Sequence, residues 1–337
     1  MSQTTAKVNS LKEIQLKYKS ALDDTNALIC QQLESLAPQS DKLIETLNAS
    51  RGKQLRPLFC YSIFNGFGAS TDKASSLAAV FESVHIASLL HDDVIDKCRL
   101  RRNLPTMNKL FGDGVAILLG DLVFVAIYEL AASLDELWLV SDISKTIKLL
   151  VEGELLQQQY RFKEETSIED YESVIYRKTA ALLELCCYAS ARFSGQEERV
   201  CEEFKKFGSY FGSIFQMVDD WADFCKACQK DNKDRGVDIA NGFITLPWLI
   251  LLDQCTPSEK ESLTAIINEG MPAGLNNSEV ESLAEKYDLN SLMIAKLESY
   301  KKKAEEALDA VPNFDSIELK TFLNFILIEF MKISESK

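Results

Sequence analysis

Glycine and proline are scarce in this sequence, at 14 and 7 of 337 residues. We find no run of alternating polar and apolar residues bounded by hairpin turns, which is the pattern of an antiparallel sheet. Leucine, alanine, glutamate, lysine and serine dominate instead, and most of these residues favour helices. The sequence therefore predicts an all-α fold and excludes a domain built from many short strands.

Positive charge is in deficit, because 37 lysines and arginines face 51 aspartates and glutamates, for a net charge of −14. Nucleic-acid-binding domains carry a basic surface, so no nucleic-acid partner is expected. The deficit does not exclude an anionic substrate if basic residues cluster locally and a metal ion neutralises phosphates. The nine cysteines form no framework of paired spacings, and the single C-x-x-C, at residues 225–228, has no second pair and no nearby histidine. This usage is typical of reduced cytoplasmic thiols.

A signal peptide is not expected either. Met1–Ser10 lacks the apolar core of a signal peptide. The most apolar window, Val115–Leu134, contains Asp121 and Glu129, so we interpret it as a buried core helix rather than a transmembrane segment. A cytoplasmic location without a transmembrane segment is therefore expected.

Helical periodicity continues along most of the chain, interrupted by short breaks. Examples are the breaks at Ala37-Pro38 and at residues 268–278, and neither is a charged or low-complexity linker. We therefore predict one all-helical domain over residues 1–337, in which residues 1–24 form a flexible leader.

One acidic pattern, D-D-x-x-D, occurs twice, at residues 92–96 and 219–223. Each copy ends an apolar, helix-periodic run. On a helix the first and fifth positions lie on one face, where like charges repel and favour a bound cation. Carboxylate oxygens suit Mg²⁺, which takes one or two protein carboxylates plus substrate phosphates. Solvated acidic helix ends are the alternative, but two copies in matched contexts favour a metal site.

Basic residues accompany the acidic motifs. They are Lys53 with Arg56, the pair Arg101-Arg102, Lys178 and Lys233. Arginine matches phosphate oxygens with two parallel donors, and lysine acts as a mobile point charge. One of the two histidines, His85, lies seven positions before Asp92 and therefore on the same helix face. We expect these residues to bind phosphate near the acidic motifs.

Together these motifs resemble those of the trans-isoprenyl diphosphate synthases, and they look most like those of bacterial long-chain, octaprenyl-type polyprenyl synthases. The resemblance runs over about residues 25 to 250. It is carried by Gly52–Pro57 (G-K-x-x-R-P), His91–Asp96 with the arginine pair, Lys178-Thr179, Phe215–Asp220, and Gly236–Asp238 leading to Thr245–Pro247. The family implies a helical bundle with a central active-site cavity and a homodimer.

The resemblance also implies a role for each motif residue. Two or three Mg²⁺ ions would be bound by Asp92 and Asp96 from one side and Asp219 from the other, with Asp93, Asp220 and Asp223 in support. The allylic diphosphate would be held by Arg101, Lys178 and Lys233. Isopentenyl diphosphate would be held by Lys53, Arg56, His85 and Arg102. Catalysis would involve Lys178, together with Thr179 and Gln216, whose oxygen dipoles would stabilise the allylic cation.

The implied reaction is Mg²⁺-dependent condensation of isopentenyl diphosphate with an allylic diphosphate to give a medium- to long-chain all-trans polyprenyl diphosphate. A geranylgeranyl-length synthase and a weakly active or regulatory subunit are the alternatives. A terpene cyclase shares the fold but usually carries only one D-D-x-x-D motif. Phe243 departs from the family, which usually has lysine there, and this change bears on the binding of the allylic diphosphate.

Product length is expected to depend on the helix that ends at Asp92. At about 100° per residue, Phe81 and Ser88 lie within about 40° of the Asp92 face, and Val84 about 80° away. Ala87 is included only by resemblance, because short-product members carry bulky aromatics one turn before this motif. The small residues Ala87 and Ser88 predict an open upper cavity, with Phe81 as its floor. A long apolar product must reach a membrane, so weak peripheral attachment is expected.

Overall fold

The computed structural model describes residues 10–102, 104–163, 165–228, 237–268 and 278–335. The described chain is almost entirely helical, and its only strands are a two-residue antiparallel pair, β1 Leu100–Arg101 and β2 Leu104–Pro105. The predicted all-α fold is therefore confirmed. The chain divides into two compact units, each formed by three chain segments. The single domain over residues 1–337 stays a prediction.

The first unit takes its described residues from Met1–Ile147, Leu185–Lys205 and Val311–Thr321. Its helices up to residue 132 are α1 Leu11–Lys17, α2 Lys19–Leu36, α3 Asp41–Ala49, α4 Leu55–Gly66, α5 Ala74–Ile95, α6 Met107–Phe111 and α7 Asp113–Ala132. At its centre α5 packs against α7, α4 and α2. Most side chains of α5 are buried on every face, so α5 is held rigidly up to the first acidic motif.

The second unit takes its described residues from Lys148–Glu184, Lys206–Ala310 and Phe322–Lys337. The remaining helices of the chain are α8 Leu137–Gln159, α9 Ile168–Ile175, α10 Ala181–Phe193, α11 Glu198–Cys228, α12 Val237–Ala240, α13 Leu246–Gln254, α14 Pro257–Asn268, α15 Ser278–Lys286, α16 Leu289–Asp309 and α17 Ile317–Glu335. A π-helical turn, Tyr176–Ala180, joins α9 to α10. An aromatic core around Trp221 fixes α11, because this ring stacks on Phe224 and Phe330 with ring centres 5.6 and 5.3 Å apart.

Two predictions about the N-terminal half need correction. The flexible leader over residues 1–24 is wrong from residue 11 onward, since α1 and α2 form there and bury Leu11, Ile14 and Leu22. These apolar residues recur at helical spacing, and they pack α1 and α2 into the unit. The prediction that residues 115–134 form a buried core helix holds for one face only, because Leu118 and Val125 of α7 are 69% and 47% exposed.

Among the described helices, α7 alone is long and apolar enough to cross a membrane by length and composition. The same test is passed by core helices of soluble proteins. Its buried face includes Leu119, Val123 and Ile127.

Candidate active site

The first acidic motif ends α5 in the first unit. Asp92 is partly buried and Asp96 is exposed, whereas Asp93 is only 6% exposed. This difference follows from helix geometry, since adjacent positions differ by about 100° around the axis. Asp93 accepts hydrogen bonds at Oδ1 from Nε and Nη2 of Arg101, at 3.0 and 2.7 Å. The motif thus presents its first and fifth carboxylates outward and uses the second to anchor the following loop.

The arginine pair lies in the hairpin that follows. Arg101 is in β1 and is engaged by Asp93, so the expected allylic phosphate ligand also has a structural partner. Arg102 has a positive φ of 52° and donates from Nη1 to the carbonyl oxygen of Ser50, 3.2 Å away. Its guanidinium fills the space that a side chain at Gly52 would need. The structure therefore brings Arg102 next to the loop that contains Lys53.

Arg56 and His85 lie in one cluster of charges with the buried carboxylate of Glu82. Burial lowers the pKa of His85 well below its usual range, and the charges of Arg56 and Arg102 lower this pKa further. His85 is therefore neutral at pH 7. Burial raises the pKa of Glu82, and the charge of Arg56 opposes that rise. Arg56 Nε and Glu82 Oε2 are buried without a hydrogen-bond partner among the described residues. The cluster therefore has one donor and one carboxyl oxygen that could still form hydrogen bonds.

The second acidic motif lies on α11 in the second unit and repeats the same pattern of exposure. Asp219 is exposed and Asp223 is partly buried, whereas Asp220 is 4% exposed. Asp220 accepts from the Tyr171 hydroxyl at 2.5 Å and from Gln216 Nε2 at 2.9 Å. Burial raises the pKa of Asp220 to about 7, although these two hydrogen bonds lower it. The second carboxylate is again a buried anchor.

Lys178 and Thr179 lie in the π-helical turn. The backbone of the turn packs closely against two glycines, Gly153 and Gly212. A Cβ at Gly153 would lie 2.8 Å from the backbone nitrogen of Lys178, and a Cβ at Gly212 would lie 2.5 Å from Ala180 Cα. Lys178 Nζ contacts Gln157 Oε1 and a carboxylate of α8, Glu154 Oε2, each at 2.6 Å. The lysine charge is thus held in place from two sides.

A chain of hydrogen bonds links this turn to the second acidic motif. The Thr179 hydroxyl donates to Gln216 Oε1 at 2.7 Å, and Gln216 donates in turn to Asp220. Lys178, Gln216 and Asp220 line one cavity of the second unit together with Tyr171 and Phe243. Three residues expected at the site are therefore brought to one cavity, and Thr179 is bonded to one of them.

No three acidic, histidine or cysteine side chains of the described chain form a ready-made metal site. The available donors are carboxylate oxygens, and in each motif the first and fifth are solvent-accessible. This donor set fits Mg²⁺, which needs few protein ligands when substrate phosphates complete its coordination. Lys233 lies outside the described residues.

The residues expected to set product length all belong to α5. Phe81 and Ala87 are fully buried and Val84 is 1% exposed, whereas Ser88 is only partly buried. Ser88 is thus the least buried of this set.

Several residues of the site did not stand out in the sequence. They are Tyr171, Glu82, Glu154 and Gln157. A weak signal exists for the last two, since they lie three apart on one face of α8. Glu82 and His85 have the same spacing on α5. Tyr171 carries no local signal, because its partner is 49 residues away.

Comparison with known proteins shows the family to which the chain belongs. The sequence profile of the polyprenyl synthetase family matches residues 38–285, well over half of the chain. An octaprenyl diphosphate synthase of Haemophilus influenzae is 32% identical over 314 residues, which span 93% of this chain and 94% of that protein.

Solved structures give the same result for the fold. A decaprenyl diphosphate synthase from Rhodobacter capsulatus superimposes with a TM-score of 0.86 at 23% identity, over 96% of this chain and 99% of the other. A polyprenyl synthase from Caulobacter crescentus, complexed with calcium and isoprenyl diphosphate, has a TM-score of 0.81 at 27% identity, over 96% and 98%. The protein belongs to the polyprenyl synthetase family and is a prenyltransferase with the all-α fold of the polyprenyl synthases.

Proposed function

We propose that the protein is a Mg²⁺-dependent prenyltransferase that adds isopentenyl diphosphate to an allylic diphosphate and releases a medium- to long-chain all-trans polyprenyl diphosphate. One observation carries the proposal. In both acidic motifs the second aspartate is buried and hydrogen-bonded, while the first and fifth are accessible. The names of the relatives, octaprenyl and decaprenyl diphosphate synthases, support a long product.

The ligands for Mg²⁺ would be Asp92 and Asp96 of the first motif, and Asp219 with Asp223 of the second. Bound Mg²⁺ supplies positive charge that stabilises the departing diphosphate. Asp93 and Asp220 orient their motifs through their own hydrogen bonds. We propose that two or three Mg²⁺ ions would bind, with substrate phosphates supplying the oxygen ligands that the protein does not.

Lys178 and Arg101 would hold the allylic diphosphate with Lys233. The allylic C–O bond breaks, and its electron pair leaves with the diphosphate. The Thr179 hydroxyl donates a hydrogen bond to Gln216. The lone pairs of the Thr179 hydroxyl oxygen are therefore available to stabilise the allylic cation. The double bond of the isopentenyl group attacks that cation, and the departing diphosphate takes the proton that is released. No protein base is needed.

Lys53, Arg56, Arg102 and His85 would bind isopentenyl diphosphate. His85 acts as a neutral hydrogen-bond donor, because burial keeps its pKa low. Arg56 Nε, which has no hydrogen-bond partner among the described residues, is a donor that a phosphate oxygen would satisfy.

A homodimer is also proposed. Leu118, Val125 and Tyr128 lie on one exposed face of α7, at 69%, 47% and 37% exposure. Apolar residues in such a stripe mark association surfaces. Light scattering of the purified chain should give twice the monomer mass, and Leu118→Glu should reduce it to the monomer. We further propose that the protein is cytoplasmic and hands its apolar product to a membrane.

The test of the function is incubation of the purified chain with Mg²⁺, farnesyl diphosphate and labelled isopentenyl diphosphate, followed by mass spectrometry of the dephosphorylated products. A labelled series that extends beyond geranylgeranyl length is expected. A series that stops at geranylgeranyl length would support the shorter-chain alternative. Label incorporated only after an active partner is added would support the regulatory alternative.

A further inference from the structure

Arg161 lies in the loop after α8 and is fixed against a second loop of the same unit. Its Nε donates a hydrogen bond of 2.6 Å to the carbonyl oxygen of Asn241. Its guanidinium carbon lies 5.5 Å from the ring centre of Phe243 and 5.7 Å from that of Phe162. A guanidinium within about 6 Å of a ring centre is attracted by the electron density of the ring face. These contacts hold an exposed cation over Phe243.

The backbone reinforces this arrangement. The Phe162 amide donates a hydrogen bond of 2.8 Å to the carbonyl oxygen of Gly242. Gly242 has a φ of 81°, and a Cβ there would lie 2.6 Å from a ring carbon of Phe162. Only glycine satisfies both conditions. The loop that contains Arg161 and Phe162 therefore packs directly against the loop that contains Gly242, and Arg161 lies where the two loops are in contact.

This junction adjoins the candidate allylic site. Phe243 is 7% exposed and lines the cavity that Lys178, Gln216 and Asp220 also line. Tyr160, next to Arg161 in the chain, lines the same cavity. Arg161 is therefore in contact with one lining residue, Phe243, and adjacent in the chain to another, Tyr160.

Among the described residues that line the cavity, Lys178 is the one cation. Lys178 is already paired with Glu154, and Asp220 and Asp238 add carboxylates to the lining. Phe243 contributes no charge at the position where the family usually has lysine. Among the described residues, Arg161 uses Nε and one contact of Nη1, to Gln158 Oε1 at 3.4 Å. Its Nη2 donors face no described acceptor, so they are suited to an anion.

We infer that Arg161 binds the diphosphate of the allylic substrate and supplies the positive charge that Phe243 lacks. Phe243 then acts as the platform that aims the guanidinium. The inference deepens the proposed function and rests on it. Arginine suits this position because its planar group can stack on a ring and bind phosphate oxygens at the same time.

Direct binding tests the inference without depending on turnover. Calorimetry would measure the affinity of the full-length chain for farnesyl S-thiolodiphosphate in the presence of Mg²⁺. Arg161→Gln should weaken this affinity by about ten- to hundredfold, because it removes a charge-assisted contact with phosphate. Affinity for isopentenyl diphosphate should not change. Lys148→Gln is the matched control, since it removes a positive charge from an exposed side chain on α8.

Double variants separate substrate binding from a purely structural role. Phe243→Leu should weaken analogue binding by about two- to fivefold, which is the contribution of an exposed cation–π contact. In the Arg161→Gln background the same change should have no further effect. Arg161→Gln/Phe243→Lys should recover most of the lost affinity. Equal loss of thermal stability and of affinity for both substrates, without recovery, would assign Arg161 a structural role and overturn the inference.

Failure of the inference is distinguishable from failure of the proposed function. A wild-type chain that elongates farnesyl diphosphate, with unchanged analogue affinity in Arg161→Gln, contradicts the inference alone. A chain that binds the analogue through Arg161 but never elongates contradicts the proposed function alone. A wild-type chain that does not bind the analogue contradicts both.

Discussion

Tyr171 on α9 donates a hydrogen bond to Oδ2 of Asp220 on α11, with 2.5 Å between the two oxygens. Oδ1 of the same carboxylate accepts from Gln216 at 2.9 Å, so both oxygens of Asp220 are engaged inside the protein. Burial raises the pKa of the Tyr171 hydroxyl well above its usual value, and the charge of Asp220 raises this pKa further. Tyr171 therefore stays a donor at any working pH and fixes the orientation of the second acidic motif.

Tyr171→Phe should lower the free energy of unfolding by about 1–3 kcal/mol, because Asp220 Oδ2 loses its donor while it remains buried. The Mg²⁺ concentration for half-maximal turnover should rise, because the neighbouring ligands are no longer oriented. Urea unfolding and Mg²⁺ titrations would measure the two effects. Tyr210→Phe, elsewhere in the same unit, is the control, and an equal response in both variants would contradict the orienting role.

The pH dependence of stability should reflect Asp220. Burial raises the pKa of Asp220 to about 7 from an ordinary value of 3.8. Between these values the native state holds a proton that the unfolded chain has released, so this group's contribution to stability is lost as pH rises from about 4 to 7. Asp220→Asn cannot release a proton. In chelator, its unfolding free energy should decline less over that window, and parallel pH curves would rule out the assignment.

Asp92→Ala and Asp219→Ala should each lower turnover by orders of magnitude while leaving the fold intact, because the lost charge stabilises the departing diphosphate in the transition state. Turnover at saturating Mg²⁺ and circular dichroism are the measurements. Asp23→Ala is the control, because Asp23 is exposed and its ion pair among the described residues is with Lys19 of the same helix. Near-normal turnover of either variant would contradict the proposal that both acidic motifs bind the metal.

Much of this site follows from the sequence, and the exceptions have physical reasons. The spacing of D-D-x-x-D was sufficient to predict that Asp92 and Asp96 share a face. It could not identify Arg101 as the partner of Asp93, because an arginine after an acidic motif suits a phosphate or a carboxylate equally well. From the sequence, Phe243 indicated only the loss of the lysine charge that the family usually has at this position. The contact between Arg161 and the Phe243 ring could not be predicted, because it forms only in the folded chain.

Product length should respond differently at two adjacent residues of α5. Ser88→Phe should shorten the product, because Ser88 is only partly buried and its position can therefore accept a larger ring. Ala87 is fully buried, so Ala87→Phe should also cost about 1–3 kcal/mol of stability through overpacking. Phe81→Ala should lengthen or broaden the products. Mass spectrometry of dephosphorylated products decides, and a farnesyl-length product from the native enzyme would contradict the open cavity.

In the π-helical turn at Tyr176–Ala180, the positions of the side chains depend on the number of residues as well as on their identity. A π turn holds one residue more than an α turn needs, so every side chain after it is rotated relative to an unbroken helix. A search for periodic patterns therefore misassigns the faces of the helix beyond it. Deleting one residue between Ile175 and Ala181 would regularise the helix and swing Lys178 away from Gln157 and Glu154, although no catalytic side chain had been altered. An insertion or deletion in this turn would therefore displace Lys178 as effectively as a substitution would remove it.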